Sequence, residues 1–253
     1  MIRPRVIPAL LLQGQGLVKT VKFKNPTYLG DPINIVRIFN EKEVDELVFL
    51  DITATNENRP PAFKMLANIT SECFMPLGYG GGIRSMDDIK TLLSIGIEKI
   101  ILNTSAVEQP ALVRAAAEYV GSQAVVISID VKKNFLGRYE VWTRSGKKGT
   151  SLDPVKHAVE MEKQGAGELF INSIDRDGTM QGYDIELIRR VSEAVSIPMV
   201  ACGGAAKLQD LADAIKMGGA SAAAAGSLFV FQGPLRGVLI SYPSQAELKR
   251  VLP

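Results

Sequence analysis

The chain has 253 residues, 46% of them hydrophobic, and its 29 basic and 27 acidic side chains leave a formal net charge of +2. This near balance gives no reason to expect nucleic acid or a membrane surface as a partner. The two cysteines and the single histidine form no CxxC motif or Cys/His cluster, so we expect no structural zinc site, no disulfide scaffold and no metal or other cofactor. Two cysteines in a chain of this length suit a reducing compartment, and we expect a cytoplasmic protein.

Short apolar runs alternate along the chain with longer amphipathic segments. Most of the runs are almost continuously apolar, which is typical of parallel strands buried on both faces. They predict strands over residues 5–11, 47–53, 75–79, 99–103, 124–130, 168–173, 198–202 and 220–225. The amphipathic segments predict helices over residues 86–95, 110–119, 153–164, 184–194 and 209–217. Asp153 and Asp184 stand where N-caps are expected.

Eight strands with intervening helices favour an α/β fold, the (β/α)8 TIM barrel, as a single domain over residues 1–253. A doubly wound open sheet is the alternative, but no GxGxxG follows the first strand. The second half also repeats the first at an offset of 122 residues, which aligns 78–107 with 200–229. A solenoid period is much shorter, roughly 20–50 residues. We therefore expect two (β/α)4 half-repeats at about 1–122 and 123–253.

Three further segments carry weaker signals. Residues 13–30 are the longest polar, glycine-bearing stretch and predict a mobile loop over the catalytic face. Trp142 and residues 144–150 predict a hairpin or loop after the fifth strand, with its lysines solvated. His157 lies in helical spacing away from any strand end, and we interpret it as a surface or helix residue.

Glycine-rich segments follow four predicted strands, at the end of the barrel where active sites of this fold lie. Glycine lets backbone N–H groups approach a phosphate closely, although any one cluster could equally be an ordinary tight turn. Four clusters in symmetric positions favour two phosphate sites and a substrate with a phosphate at each end. The clusters contain Gly81, Gly82, Asn103 and Thr104 in the first half, and Gly203, Gly204, Gly226 and Ser227 in the second.

Three carboxylates lie at or after strand ends on the same side. Asp130 directly follows the run VVISI, where a charge is costly unless it has a partner or a task. Asp51 and Asp177 follow other strands, and we predict that both bind substrate, together with Gly178. Capping a helix or pairing with a lysine is the simpler alternative for each acid, and Asp177-Gly178 is also a common turn dipeptide. Lys19, after the first strand, could close over an anionic ligand or be solvated.

Charged residues also open several apolar runs at the opposite end of the barrel. They alternate in sign along the chain: Arg5, Glu46, Lys99 and Glu168. Two cations and two carboxylates there can pair as a salt-bridge plug. Simple solubilisation of the barrel floor is the alternative that spacing leaves open.

Segments spread over nearly the whole chain carry a family resemblance. They include RVIPALLL, GGGIRS, KIILNTSAV, GSQAVVISIDVKK and SGKKGTS, and the most specific are DELVFLDIT and SIDRDGTMQGYD. Through them the chain resembles the cyclase subunit of imidazole glycerol phosphate synthase. That resemblance implies a TIM barrel of two half-barrels, with a glutaminase subunit at its bottom. Ammonia made by the glutaminase would pass through the barrel to the top.

The resemblance also implies roles for particular residues. Arg5, Glu46, Lys99 and Glu168 would form the gate of the ammonia channel. Lys19 and Asp130 match functional positions, and we predict that they are catalytic. One phosphate would be held by Gly82, Asn103 and Thr104, and the other by Asp177, Gly204, Gly226 and Ser227.

The first strand departs from the family pattern. Family cyclases carry a catalytic aspartate there, in a pattern like IPCLDV, whereas this chain has IPALLL with Leu11 at that position. Leucine cannot transfer a proton, and loss of one acid–base group typically removes about 10²–10⁴-fold in rate. Smaller departures are Thr20 in the lysine loop, Ala205-Ala206 in place of the usual glycine-rich loop, and Asp210 in place of a family histidine.

Retention of the gate with loss of one acid resembles a divergent branch found with bacterial surface-polysaccharide genes. We therefore expect an amidotransferase-type synthase subunit that delivers ammonia for amidation of a nucleotide-linked acetamido sugar. Its partners would be a glutaminase at the amino end, a sugar amidotransferase at the carboxyl end, and a phosphorylated small molecule. The alternatives are a genuine cyclase of histidine biosynthesis, with Asp51 or another acid replacing the missing group, and a non-catalytic scaffold.

Overall fold

Eight parallel strands close into a barrel in the computed structural model, which describes residues 3–252. The strands, with the hairpins attached to them, are β1 (Arg5–Gln13), β2 (Gly16–Val21), β3 (Lys24–Gly30), β4 (Leu47–Asp51), β5 (Leu77–Gly80), β6 (Lys99–Leu102), β7 (Val125–Lys133), β8 (Tyr139–Thr143), β9 (Lys148–Gly149), β10 (Glu168–Ser173), β11 (Met199–Cys202), β12 (Ala222–Ala225), β13 (Phe231–Gln232) and β14 (Gly237–Val238). The order around the barrel is β1, β4, β5, β6, β7, β10, β11, β12, and β12 pairs again with β1. All eight predicted strands coincide with these barrel strands.

Helices separate the barrel strands and cover the outside. They are α1 (Pro32–Glu41), α2 (Phe63–Glu72), α3 (Met86–Ser94), α4 (Thr104–Glu108), α5 (Pro110–Val120), α6 (Pro154–Lys163), α7 (Ile185–Ser192), α8 (Leu208–Lys216), α9 (Ser227–Val230) and α10 (Gln245–Val251). The five predicted helices are confirmed. Asp153 caps α6 by accepting from the N–H groups of Val155 and Lys156, and Asp184 caps α7 by accepting from Leu187. Within residues 3–252, no helix is long and apolar enough to cross a membrane.

The alternation of side chains along each strand divides the core into two layers. On β1, Val6, Leu10 and Leu12 point outward into the large core beneath the helices, whereas Ile7 and Ala9 point into the barrel. The inner layer holds the side chains of Ile7, Ala9, Val48, Ile101, Val126, Phe170, Val200, Cys202, Ala222 and Ala224. It fills the barrel with apolar groups, so polar chemistry is confined to the two ends.

The structure corrects the loop prediction for residues 13–30. This segment is an antiparallel hairpin, in which β2 pairs with β1 through Leu11 and Val18 and β3 pairs with β2. The hairpin forms because Leu17 and Val18 are buried against the barrel, although glycines and lysines surround them in sequence. The hairpin predicted around Trp142 is present as β8 and β9.

The structure also corrects the interpretation of His157 as a surface residue. His157 does lie in α6, but its side chain is buried, on the same helix face as Pro154, Ala158 and Met161. Spacings of three and four residues place these side chains together. Burial lowers the pKa of His157 below its ordinary value. The predicted domain ends, residues 1–2 and 253, lie outside the described residues.

Candidate active site and ion ring

A cavity of about 330 Å³ opens at the carboxyl ends of the barrel strands. Its wall brings together residues that are far apart in sequence, namely Lys19, Asp51, Gly81, Gly82, Asn103, Thr104, Asp130, Asp177 and Gly226. The other predicted phosphate residues, Gly178, Gly203, Gly204 and Ser227, do not line this cavity. Leu11 lies on the wall too, next in the inward series after Ile7 and Ala9. Leu11 thus places an apolar side chain at a strand end, where the equivalent position of β7 has an acid, Asp130.

Asp130 is a buried carboxylate on the cavity wall. It lies on β7 beside Asn172 of β10, with its side chain buried. Burial raises its pKa to about 7, the negative charge of Asp177 adds to the increase, and a hydrogen bond from Ser128 Oγ at 3.4 Å opposes it. A carboxyl group with this pKa can both hold and release a proton near neutral pH, which is the property that acid–base catalysis requires.

Lys19 and Asp177 form a buried ion pair across the second half of the cavity. Lys19 Nζ lies 2.9 and 3.1 Å from the two carboxylate oxygens of Asp177 and also donates to the carbonyl of Thr20 at 2.9 Å. The N–H of Lys22 donates to the backbone oxygen of Asp177, also at 2.9 Å. Gly178 has φ +72°, and a Cβ there would collide with the carbonyl of Thr20. The β2–β3 hairpin is therefore fastened down over this side of the barrel.

Asp51 is held by a residue that the sequence analysis missed. Arg59 Nη2 donates to Asp51 Oδ1 at 2.9 Å, and Nη1 lies 2.8 Å from Oδ2. The same Oδ1 accepts from the backbone N–H groups of Thr53 and Ala54, both at 3.0 Å. Asp51 thus organises the loop that follows β4. The only sequence signal for Arg59 is its place in the polar run TNENRP.

The glycine loop of the first half lies open to the cavity. Gly81 and Gly82 have φ of +120° and +73°, and a Cβ at Gly81 would collide with the backbone oxygen of Asp51. Beside them, Asn103 Nδ2 donates to the carbonyl of Ser128 at 2.9 Å, and the N–H of Arg144 donates to Thr104 Oγ1 at 3.0 Å. The N–H of Gly82 donates to Thr55 Oγ1 at 3.3 Å, and Gly81, Gly82, Asn103 and Thr104 lie together on the cavity wall.

The corresponding loop of the second half is covered. Gly203 and Gly204 have φ of +92° and +113°, and a Cβ at Gly204 would collide with the carbonyl of Gly182. Arg236, which the sequence analysis also missed, donates from Nη2 to the carbonyl of Gly178 at 3.0 Å and to Ser227 Oγ at 3.3 Å. The glycine geometry is thus repeated in both halves, but access to it is not.

The four charged residues at the amino end form a closed ring. Arg5 contacts Glu46 with one guanidinium nitrogen and Glu168 with the other. Lys99 Nζ lies 2.9 Å from Glu46 Oε2 and 2.7 Å from Glu168 Oε2. Both carboxylates are buried, so pairing is the arrangement that their desolvation requires.

An apolar layer lies directly above this ring. The residues two positions further along the same strands are Ile7, Val48, Ile101 and Phe170, and all four point into the barrel. The barrel is therefore sealed by charge at its amino end, apolar along its middle, and polar at its carboxyl end.

The fold, the acid-bearing cavity and the glycine loops at the carboxyl ends of the strands together define a (β/α)8-barrel protein of the enzyme type. The family model described as "Histidine biosynthesis protein" matches residues 5–235. The chain belongs to that family, among the cyclase-type subunits of imidazole glycerol phosphate synthase.

Curated relatives cover nearly all of the chain. A protein provisionally named imidazole glycerol phosphate synthase subunit hisF2 of Pseudomonas aeruginosa is 49% identical over 248 residues, which is 98% of this chain and 99% of that protein. A second provisionally named HisF subunit, from Leptospira interrogans, is 48% identical over 251 residues and 98% of both chains. Imidazole glycerol phosphate synthase subunit HisF of Alkaliphilus metalliredigens is 44% identical over 229 residues, 90% of this chain and 91% of that protein.

Proposed function

We propose that this chain receives ammonia from a glutaminase subunit docked at the amino end of the barrel and releases it at the carboxyl end. There it would serve the amidation of a nucleotide-linked acetamido sugar in surface-polysaccharide biosynthesis, in the cytoplasm. A sugar amidotransferase docked at the carboxyl end would take up the ammonia. The observation that carries this proposal is the combination of a fully assembled ion ring with Leu11 on the cavity wall.

The ring supports the ammonia route through its chemistry. Glu46 and Glu168 are buried, and each is paired with both cations, so the ring is retained as a complete set rather than as isolated surface charges. Ammonia is small and uncharged, so the apolar layer above the ring can pass it once the ring opens. Opening would require Lys99 or Arg5 to exchange its carboxylate partners, which an approaching partner subunit can promote by supplying substitute charges.

Leu11 supports a different acceptor from the one that the cyclases use. Two carboxyl groups acting as acid and base would have to face each other across the top of the barrel, one from each half. Asp130 supplies the group from the second half, but Leu11 occupies the first-half position and cannot exchange a proton. Asp51 lines the same cavity, yet its carboxylate is already engaged by Arg59 and two backbone N–H groups. We therefore assign the nitrogen transfer to an acceptor outside this chain's own cyclase chemistry.

A genuine cyclase of histidine biosynthesis is the second candidate. Asp130, with a pKa of about 7, favours it, because one competent acid–base group remains in the cavity. The 44% identity to the Alkaliphilus subunit over most of both chains is compatible with the same activity. The two candidates share the glutaminase and the channel, and they differ in what happens at the carboxyl end.

The shared part can be tested at the ring with the glutaminase partner. We expect the wild-type chain to form a complex with the glutaminase on size exclusion and to stimulate glutamine hydrolysis. Lys99→Met keeps the length of the side chain but leaves Glu46 and Glu168 with Arg5 alone, so stimulation should fall while the barrel stays folded. Lys147→Met, which removes an exposed charge in the loop after β8, is the matched control and should behave as wild type. Absence of both complex and stimulation in wild type would overturn the proposal.

A further inference from the structure

Arg236 lies in the C-terminal hairpin and contacts Gly178 and Ser227 at the carboxyl end of the barrel. The hairpin formed by β13 and β14 follows α9, the helix that begins at Ser227. Its other turn residues are exposed, among them Leu235, whereas Arg236 is half-buried. From there its Nη2 reaches both Ser227 Oγ and the carbonyl of Gly178. The hairpin therefore places a cation beside Gly178 and Ser227, two of the predicted substrate-binding residues.

The position of Arg236 is fixed by its own surroundings. Its backbone has φ +52°, and its N–H donates to the carbonyl of Gly233 at 3.1 Å. Its guanidinium lies over the ring of Phe231 at 4.7 Å from the centroid. The N–H of Leu239 donates to the carbonyl of Val230 at 3.0 Å, which ties the hairpin back to α9. Ser227, Phe231 and Arg236 thus form one local unit.

The charge of Arg236 is unbalanced where it lies. Within residues 3–252 it has no ion pair with a carboxylate, and only its Nη2 takes part in a hydrogen bond. Arg144, whose N–H contacts Thr104 in the first half, differs because its guanidinium pairs with Glu108 at 3.0 Å. Ser227 Oγ accepts from Arg236, so its own proton is available to a further acceptor. A free guanidinium fork beside a free hydroxyl proton is suited to a phosphate group.

We propose that Arg236 is a ligand of a phosphate group bound against Gly204 and Ser227, and that the C-terminal hairpin selects for a phosphorylated group in the second half. Nη1 and Nε would donate to the phosphate oxygens, and Ser227 Oγ would donate from the opposite side. Phosphate binding would need no movement of the barrel, whether Arg236 Nη2 stays on the carbonyl of Gly178 or moves to the phosphate. This inference rests on the proposed binding of a phosphorylated small molecule at the carboxyl end.

The test is a titration of the ¹⁵N-labelled full chain with inorganic phosphate, followed at individual amides by NMR. The amides of Gly82 and Thr104 report on the first half, and those of Gly204 and Ser227 on the second. We expect Arg236→Ala to weaken phosphate binding in the second half by about 10-fold or more and to leave the first half unchanged. Arg236→Lys should fall between the two, because an ammonium group keeps the charge without the fork.

Arg114→Ala, which removes an equal charge from the exposed face of α5, is the matched control and should bind phosphate as wild type does. The amide spectrum itself shows whether each variant is folded. Second-half binding that is unchanged or tighter in Arg236→Ala would overturn the inference and make Arg236 a plug of the site. A response in the first half alone would overturn this inference only, whereas no response in either half would also remove the phosphate-binding face from the proposed function.

Discussion

The two halves of the barrel share a glycine geometry but present it differently. In the first half, Gly81 and Gly82 line an open cavity. In the second half, the equivalent Gly203 and Gly204 lie outside that cavity, and the carbonyl of Gly182 packs closely against Gly204. The backbone conformation of the glycine loop is therefore similar in both halves, and the halves differ in the segments that surround the loop. We therefore predict that the β2–β3 and β13–β14 hairpins, rather than the barrel strands, select the ligand.

A related asymmetry concerns the acids. The second half supplies Asp130 at the top of β7, whereas the first half supplies Leu11 at the top of β1. The strand-end position of β7 can therefore exchange a proton, whereas the strand-end position of β1 cannot. The ring at the bottom of the barrel shows no such loss, because Arg5, Glu46 and Lys99 of the first half and Glu168 of the second half are all present and paired. The ion ring at the amino end is therefore complete, whereas the pair of acids expected at the carboxyl end is not.

The largest expected effect comes from breaking the closure of the second half at Lys19. Lys19→Met leaves the buried Asp177 carboxylate without its cation, which should lower the free energy of unfolding by about 3–5 kcal/mol. Adding Asp177→Asn removes the stranded charge and should restore most of the loss. Urea unfolding at pH 7 measures both. A Lys19→Met protein within about 1 kcal/mol of wild type, the size of an exposed pair, would show that the pair is not the fastening we describe.

A smaller expected effect is the pH dependence of stability that Asp130 causes and Leu11 cannot. The pKa of Asp130 is raised from 3.8 to about 7, so between these values the folded protein keeps a proton that the unfolded chain has released. Stability should then fall as the pH rises through this interval, at about 1.4 kcal/mol per pH unit. Asp130→Asn lacks this titration. Its free energy of unfolding, relative to that of wild type, should therefore rise by about 2 kcal/mol between pH 5 and pH 7.

Urea unfolding of wild type and Asp130→Asn across pH 4–9 measures this difference, and the remaining titrating groups cancel in the comparison. The gain should stop above about pH 8, where Asp130 is ionised in both the folded and the unfolded state. Parallel stability curves for the two proteins would mean that Asp130 is ionised throughout this pH range. Asp130 would then not hold a proton near neutral pH, and the proposed acid–base role would be wrong.

The sequence predicted the barrel because the information was local. Continuous apolar runs identify strands buried on both faces, and Asp153 and Asp184 identify helix starts. Where local composition was ambiguous it misled. The polar stretch 13–30 concealed Leu17 and Val18, whose burial makes it a hairpin. His157 was interpreted as a surface or helix residue, and it lies in a helix with its side chain buried.

The candidate site was predicted only where residues follow strand ends. Lys19 and Asp177 were both singled out, but their pairing joins positions 158 residues apart, and no spacing reveals it. Arg59 and Arg236 lie in loops, and the direction of a guanidinium is set by contacts that form only after the barrel closes. Their roles follow from tertiary structure, because a lone arginine in a turn is usually a solvated charge.

The central claim is that this barrel conducts ammonia but has lost half of its own cyclase chemistry. The most direct measurement is turnover of the cyclases' bisphosphate substrate with ammonium, for wild type, Leu11→Asp and Leu11→Asn. We predict no turnover by wild type or Leu11→Asn, which lack an ionisable group there, and a gain of at least about 10²-fold in Leu11→Asp. Wild-type turnover equal to that of Leu11→Asp would contradict the claim and make a genuine histidine-biosynthesis cyclase the function of this chain.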